Sequence, residues 1–197
     1  MKVGLYFGSF NPIHHGHLII ASHVLQNTDV DQIWFIVSPQ NPFKKSSSLL
    51  NEYQRLHLVR LAVEGFVGLK VIDIEFKLPK PSFTYDTLKA LAIMYPTFDF
   101  TVIMGSDSYQ NLNAWKNYDK IKAKYQIYIY QRPKYEISEI DEGHIKIINA
   151  PLLEISSSMI RTILKDGGTI RYYVPEIVRE EIEKGMYYRK KSKKPTQ

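Results

Sequence analysis

Apolar residues along this chain fall into two recurring patterns. Short unbroken runs, such as Ile33-Trp34-Phe35-Ile36-Val37, lack the polar alternation of a sheet with one wet face. Runs of that kind suit strands buried on both sides, as in a parallel sheet. Between them lie longer segments in which apolar residues recur at helical spacing among charged ones. Strands are expected over 2–7, 33–37, 69–76, 100–104, 125–130 and 145–148, and helices over 16–26, 51–64, 84–95, 157–165 and 175–183. In 69–76, Ile72, Ile74 and Phe76 alternate with Asp73 and Glu75, which reads as one continuous strand. The stretch 38–48, rich in Pro, Asn, Ser and Lys, reads as a long exposed loop. Pro96 ends one helix, and Pro175 opens another at a position that tolerates the missing N–H.

Strand and helix alternate with no internal repeat, which implies βαβ units. The expected fold class is α/β, a doubly wound and mainly parallel sheet with helices on both faces. Such sheets bind ligands beyond the carboxyl ends of their strands, where the strand order reverses. The strand-to-helix turns are therefore where chemistry is sought.

Composition narrows the classes. A chain of 197 residues fits one domain, expected over 1–188 with a basic tail over 189–197. The absence of cysteine excludes disulfides, thiolate catalysis and iron–sulfur ligation. No apolar run approaches the ~20 residues that span a bilayer, and the first residues lack a signal-peptide pattern. A cytoplasmic protein with no membrane partner is expected. The net charge of +6 would suggest nucleic acid, but Arg189, Lys190, Lys191, Lys193 and Lys194 sit together in the tail. Without these five the body carries +1, so the tail is read as a solvated, disordered run and no nucleic-acid partner is expected.

Two turns carry candidate chemistry. The first is Gly8-Ser9-Phe10-Asn11-Pro12-Ile13-His14-His15-Gly16-His17, between the first strand and the first helix. Gly8 and Gly16 allow close backbone approach, and the helix start offers N–H groups to an anion. His14 and His17, three apart, face one side of the first turn and could donate to phosphate oxygens. A capping or packing role is the plainer alternative. Zinc ligation is another, although two histidines make half a zinc shell and no third ligand lies at a motif spacing, so no metal site is assigned. The second turn is Ile155-Ser156-Ser157-Ser158-Met159-Ile160-Arg161, where serines cap a helix and Arg161 lies about one turn in.

The pair of motifs, G-x-F-x-P-x-H-x-G-H followed by I-S-S-x-x-I-R, resembles the nucleotidyltransferase superfamily with an HxGH signature. Interior segments narrow the resemblance to bacterial nicotinate-nucleotide adenylyltransferases: Ser38-Pro39-Gln40-Asn41-Pro42-Phe43-Lys44, Ser82-Phe83-Thr84-Tyr85-Asp86-Thr87-Leu88, Gly105-Ser106-Asp107 with Trp115, Arg132-Pro133 and Arg171-Tyr172-Tyr173-Val174-Pro175. It extends to about Tyr188 and departs mildly at Phe43, Phe83, Lys134 and Ser158.

The resemblance implies adenylyl transfer from ATP to nicotinate mononucleotide, with Mg2+ carried by ATP. His14, His17, Lys44 and Arg161 would hold the triphosphate. Gly8, Ser9, Phe10, Gly16, Gly105, Asp107, Ile155, Ser156 and Ser157 would complete the ATP site, and Asn11, Thr84, Tyr85, Trp115 and Arg132 would bind the mononucleotide. Other acceptors (nicotinamide mononucleotide or pantetheine phosphate), cytidylyl transfer to a small phosphate, and a nucleotide- or nucleic-acid-binding module remain the alternatives.

Overall fold

A computed structural model of the chain describes residues 1–40, 49–137 and 143–189. Six strands form one sheet: β1 Lys2–Gly8, β2 Gln32–Val37, β3 Leu69–Ile72, β4 Asp99–Gly105, β5 Gln126–Tyr130 and β6 Ile145–Ile148. Their order is β3-β2-β1-β4-β5-β6, and every pairing is parallel. The sheet is doubly wound as expected, and its order reverses between β1 and β4, which places a crevice at their carboxyl ends.

Helices α1 His15–Asn27, α2 Glu52–Val63, α3 Thr84–Met94, α4 Ser106–Tyr109, α5 Tyr118–Lys124, α6 Ser157–Lys165 and α7 Glu176–Lys184 connect and cover the strands. The apolar strand runs serve two cores by simple alternation. Ile33, Phe35 and Val37 of β2 join one core with residues of α1, α2, α6 and α7, while Trp34 and Ile36 join the other with residues of α3 and α5. The other central strands divide likewise: Tyr128 and Tyr130 of β5 enter the first core, Ile127 and Ile129 the second. This two-sided burial accounts for strands without polar alternation. No described helix is long and apolar enough to cross a membrane.

The expected strand over 69–76 is corrected. β3 ends at Ile72, and Ile74–Lys77 form a turn of 3-10 helix. Strand periodicity would set Glu75 opposite Ile74, yet both are buried. The tighter turn sends Ile74 into the second core and lets the Glu75 carboxylate meet two hydroxyls: Ser82 Oγ donates to Oε2 at 2.6 Å and Thr87 Oγ1 to Oε1 at 2.9 Å. The short helices α4 and α5 are additions to the sequence reading. Pro175 is the N-cap of α7 rather than its first residue.

Arg55 of α2 is fully buried. Its Nε donates to Leu50 O at 2.9 Å, Nη1 to Ser9 O at 2.5 Å and Ser38 O at 2.8 Å, and Nη2 to Pro39 O at 2.7 Å. One guanidinium thus joins the loops after β1 and β2 to the entry of α2. Arg55→Met is expected to strip four carbonyls of their donor and to destabilise the fold by several kcal/mol, on the order of 3 or more. Arg55→Lys should recover less than half of this, because a compact ammonium lacks the fork geometry. Urea unfolding of the three proteins measures it, and equal midpoints would refute the role.

Candidate active site

The crevice at the switch point is a cleft of about 380 Å³, within the range of small-molecule sites. Its floor is the loop after β1. Phe10 takes a left-handed backbone (φ +43°) and is 2 % exposed. Its ring lies under Gly8, where a Cβ would come within 2.8 Å of it, so that position tolerates no side chain. Phe10 meets the His17 ring edge-on at 5.0 Å, and His17 stacks on His14 with centroids 3.7 Å apart at 29°. The two imidazoles therefore lie side by side at the start of α1, as their spacing predicts.

His14 is buried, with no hydrogen-bond partner on Nδ1, and Ser9 Oγ is buried without one as well. Burial is the main cause that lowers the His14 pKa, to about 3, with the nearby Arg132 and His15 side chains adding to it. The ring is neutral at pH 7. A buried polar atom left without a partner costs free energy that a bound ligand group would recover.

The serine motif closes one side. Ser156 caps α6 by accepting from Met159 N at 3.2 Å, and Ser157 Oγ donates to Pro12 O at 2.9 Å. Arg161 Nη1 donates to Asn11 O at 2.8 Å and Nη2 to Ser158 Oγ at 3.2 Å. Two motifs near opposite ends of the chain are thereby fastened together, and Ile155, Ser156, Ser157 and Arg161 all line the cleft.

On the other side, β4 ends at Gly105. A Cβ there would come within 2.5 Å of Asp107 Oδ1 and 2.8 Å of Arg132 Nε, so glycine is needed for the approach of that ion pair. Arg132 Nε lies 3.4 Å from Asp107 Oδ1, and Arg132 Nη2 donates to Tyr130 Oη at 3.0 Å. Thr84, at the start of α3, and Trp115, packed partly on the second core, line the far end.

The structure thus gathers Gly8, Ser9, Phe10, Asn11, His14, His17, Thr84, Gly105, Asp107, Trp115, Arg132 and the serine-motif residues around one cleft. Gly16 and Tyr85 lie behind that lining. Gly16 backs the His14 ring, and the Tyr85 ring packs on the second core, with Lys120 over its face at 5.8 Å. Lys44 lies outside the described residues. The sequence reading missed Lys116, which lines the cleft, pairs with Asp86 at 2.8 Å and sits 5.0 Å from the Phe83 ring centre. It also missed Arg55, although its helical spacing from the core residues Leu58 and Val59 marks a cation on an apolar face.

The chain matches the cytidylyltransferase-like family over residues 5–163, which gives the class. Among curated proteins it is 48% identical over 193 residues to one from Flavobacterium psychrophilum, covering 96% of this chain and 100% of that one. It is 46% identical over 189 residues to one from Cytophaga hutchinsonii, covering 95% of this chain and 98% of the other. Both are named "probable nicotinate-nucleotide adenylyltransferase". The solved structure of the Plasmodium falciparum nicotinic acid mononucleotide adenylyltransferase complexed with NaAD shares the fold, with a TM-score of 0.80 at 22% identity over 95% of this chain and 97% of that one. The chain belongs to the nicotinate-nucleotide adenylyltransferase family within this cytidylyltransferase-like class.

The depressed pKa of His14 fixes a sign for stability. Between about 3 and 6.5 the unfolded chain binds a proton at His14 that the folded chain refuses. The stability that depends on a neutral His14 is intact above pH 6.5 and drains away as pH falls toward 3. From pH 7.5 to 5.5 it should cost the wild type about 1.4 kcal/mol that His14→Gln does not lose. Denaturant unfolding at the two pH values checks this, and parallel losses in both proteins would contradict it.

Proposed function

We propose that this protein transfers the adenylyl group of ATP to nicotinate mononucleotide, forming deamido-NAD and pyrophosphate. The observation that carries the reading is the joining of the histidine pair to the serine-motif helix through Arg161 and Asn11 at the sheet's switch point. The family relatives support the choice of substrates. An oxygen of the mononucleotide 5′-phosphate attacks the α-phosphorus of ATP. The bond from that phosphorus to the bridging oxygen breaks, and pyrophosphate leaves with the electron pair. The nucleophile is already an anion at neutral pH, so the work of the protein is positioning and charge stabilisation.

In this reading His14, His17 and Arg161, with the α6 N-terminus at Ser156 and Ser157, hold the triphosphate, and Lys44 adds a further cation. Gly105 and Asp107 face the adenosine ribose. Trp115 stacks on the pyridine ring, and the N–H groups at Thr84 and Tyr85 meet its carboxylate. Asn11 and Arg132 hold the rest of the acceptor. Lys116, close to Phe83, adds positive charge near that carboxylate. Among the described residues no group of three or more His, Asp or Glu side chains is placed to hold a metal ion. Mg2+ keeps several waters and needs few protein ligands, so we assign it to ATP itself, where it would neutralise phosphate charge. Both substrates are intracellular metabolites, which supports a cytoplasmic site of action. The catalytic unit is assigned to residues 1–188.

The deciding experiment is a pyrophosphate-release assay with ATP, Mg2+ and a panel of acceptors. Nicotinate mononucleotide should exceed nicotinamide mononucleotide by at least ~100-fold in kcat/KM, because an amide N–H set against helix N-terminal donors finds no acceptor. Equal values would place the donors elsewhere. Activity with pantetheine phosphate alone, or with CTP in place of ATP, would overturn the reading. In the same assay His17→Ala should lower kcat about 100-fold or more in a folded protein, as expected for loss of a transition-state donor. Deleting 189–197 should leave kcat and Tm nearly unchanged, because the tail brings no apolar anchor. A large fall in either would show that it belongs to the body.

A further inference from the structure

We infer that Glu75 is a positioning residue for acceptor selectivity, which staples the start of α3 and so sets the Thr84 and Tyr85 N–H groups against the ring substituent. The inference rests on the reading above, in which those groups meet the nicotinate carboxylate. Glu75 is buried and lines the cleft, yet the proposed adenylyl transfer makes no use of it. Its partners are hydroxyls. Ser82 Oγ donates to Oε2 at 2.6 Å, Thr87 Oγ1 donates to Oε1 at 2.9 Å, and the Ser38 side chain is a third donor. Burial raises the pKa of the carboxyl group, and these three hydroxyls act in the opposite sense.

The places of two of these hydroxyls along α3 give the contact its meaning. Phe83 is the N-cap of α3, and its side chain caps nothing. Asp86 stands where a capping box would reach back, but it pairs with Lys116 at 2.8 Å. Ser82 comes immediately before the cap, and Thr87 four residues after it. In many helices an apolar pair at those two positions packs together and fixes the angle at which the chain enters. Here one carboxylate bridges them, so two hydrogen bonds set that angle. The N–H groups of Asp86 and Thr87 both donate to Phe83 O, at 3.0 and 3.1 Å, which leaves those of Thr84 and Tyr85 ahead of the helical ladder.

Thr87 shows what the carboxylate prevents. Its Oγ1 also lies 3.3 Å from Phe83 O, and a hydroxyl has one proton to give. Glu75, at the shorter distance and with the more basic oxygen, takes it. Without Glu75 the hydroxyl turns to the Phe83 carbonyl, four residues back, and such a bond bends a helix. That carbonyl already serves two N–H groups, so a third donor disturbs the turn that carries Thr84 and Tyr85. A bound carboxylate depends on charge-assisted bonds from that turn and feels the change, whereas a neutral amide has little to lose.

The test is steady-state kinetics on the full chain, with nicotinate and nicotinamide mononucleotide as acceptors, for wild type, Thr87→Val, Glu75→Ala, the double variant and Glu75→Gln. Thr87 is fully buried and lies outside the lining of the cleft, so Thr87→Val reaches the acceptor only through the turn. It should lower kcat/KM for nicotinate mononucleotide at least about threefold, and Glu75→Ala about tenfold, as for one misaligned charge-assisted hydrogen bond. The nicotinamide values and KM for ATP should stay within about twofold of wild type. In the double variant Thr87→Val should add no further fall, because the staple is already gone. Glu75→Gln should keep most of the preference, because a hydroxyl can accept from its amide nitrogen as well as donate to its oxygen.

A Thr87→Val protein with the full nicotinate preference overturns the inference, even if Glu75→Ala fails to fold. So do equal falls for both acceptors or penalties that multiply in the double variant, which mark a packing role. A Glu75→Gln protein no more selective than Glu75→Ala also overturns it, by placing the effect in the charge. A wild type with no nicotinate preference sinks the parent reading and this inference together. Wild-type preference with an indifferent Thr87→Val sinks this inference alone.

Discussion

The structure depends on one buried cation. Arg55 directs four hydrogen bonds at backbone carbonyls, from the loop after β1, the loop after β2 and the entry to α2. These chain segments leave adjacent parallel strands at their carboxyl ends, where the backbone contact of Ser38 N with Gly8 O at 2.9 Å lies at the end of the ladder and the loops beyond it need another tie. A guanidinium suits the task because it spreads its charge over a plane and offers donors in several fixed directions. Oriented peptide dipoles return part of the hydration energy that burial removes. Exchange for an apolar residue would solve the desolvation problem and leave four carbonyls without donors. The arrangement is thus costly at either end and stable only when complete.

From Arg55 the constraint passes into the site. Its bond to the Ser9 carbonyl anchors the residue before Phe10, whose left-handed backbone drops the aromatic ring beneath Gly8 and against His17. His17 then carries His14, and the stack leaves His14 Nδ1 and Ser9 Oγ buried without partners. Isolated, such atoms would be defects. Set beside the start of α1, the capped start of α6 and Arg161, they form a cradle whose unfilled hydrogen-bonding capacity matches an anion rich in acceptors. The neutral state of His14 belongs to the same logic. Burial, with Arg132 nearby, keeps His14 uncharged, so this ring adds no charge repulsion beside the Arg132 and Arg161 guanidiniums.

The sheet was legible because a two-sided burial leaves continuous apolar runs, and β1, β2, β4 and β5 all have them. The histidine and serine motifs were legible because glycine, proline and histidine crowd into short turns where packing alone does not ask for them. What escaped had no such local mark. The break after Ile72 depends on Glu75 meeting Ser82 and Thr87, and strand alternation in 69–76 disguises it. Arg55 looks like any cation of an amphipathic helix, unless its registry with Leu58 and Val59 is taken seriously. Tyr188 touches Asn11 across 177 positions, a separation that no local pattern encodes. Lys116 sits in a polar stretch whose course is set by the short helices α4 and α5, which carry little periodicity.

The two ends of the cleft are built to different standards, and the chemistry explains why. Around the histidines and α6 the contacts tie motifs from opposite ends of the chain, with Arg161, Ser157 and Tyr188 all reaching the loop at Asn11 and Pro12. Under the proposed reaction these parts would flank the reacting phosphorus, where in-line attack tolerates little error and support from several independent segments is a gain. At the far end, Thr84 and Trp115 rest on the second core through α3 and a single turn, with Glu75 bracing Ser82 and Thr87 from below. Under the proposed reaction that end would have only to recognise a flat ring and its substituent, for which an aromatic face and a helix start suffice. Asn11 lies on the boundary between the two. Its carbonyl accepts from Arg161 and its Oδ1 from Leu50 and Tyr188, so segments from three distant parts of the chain meet at this one residue.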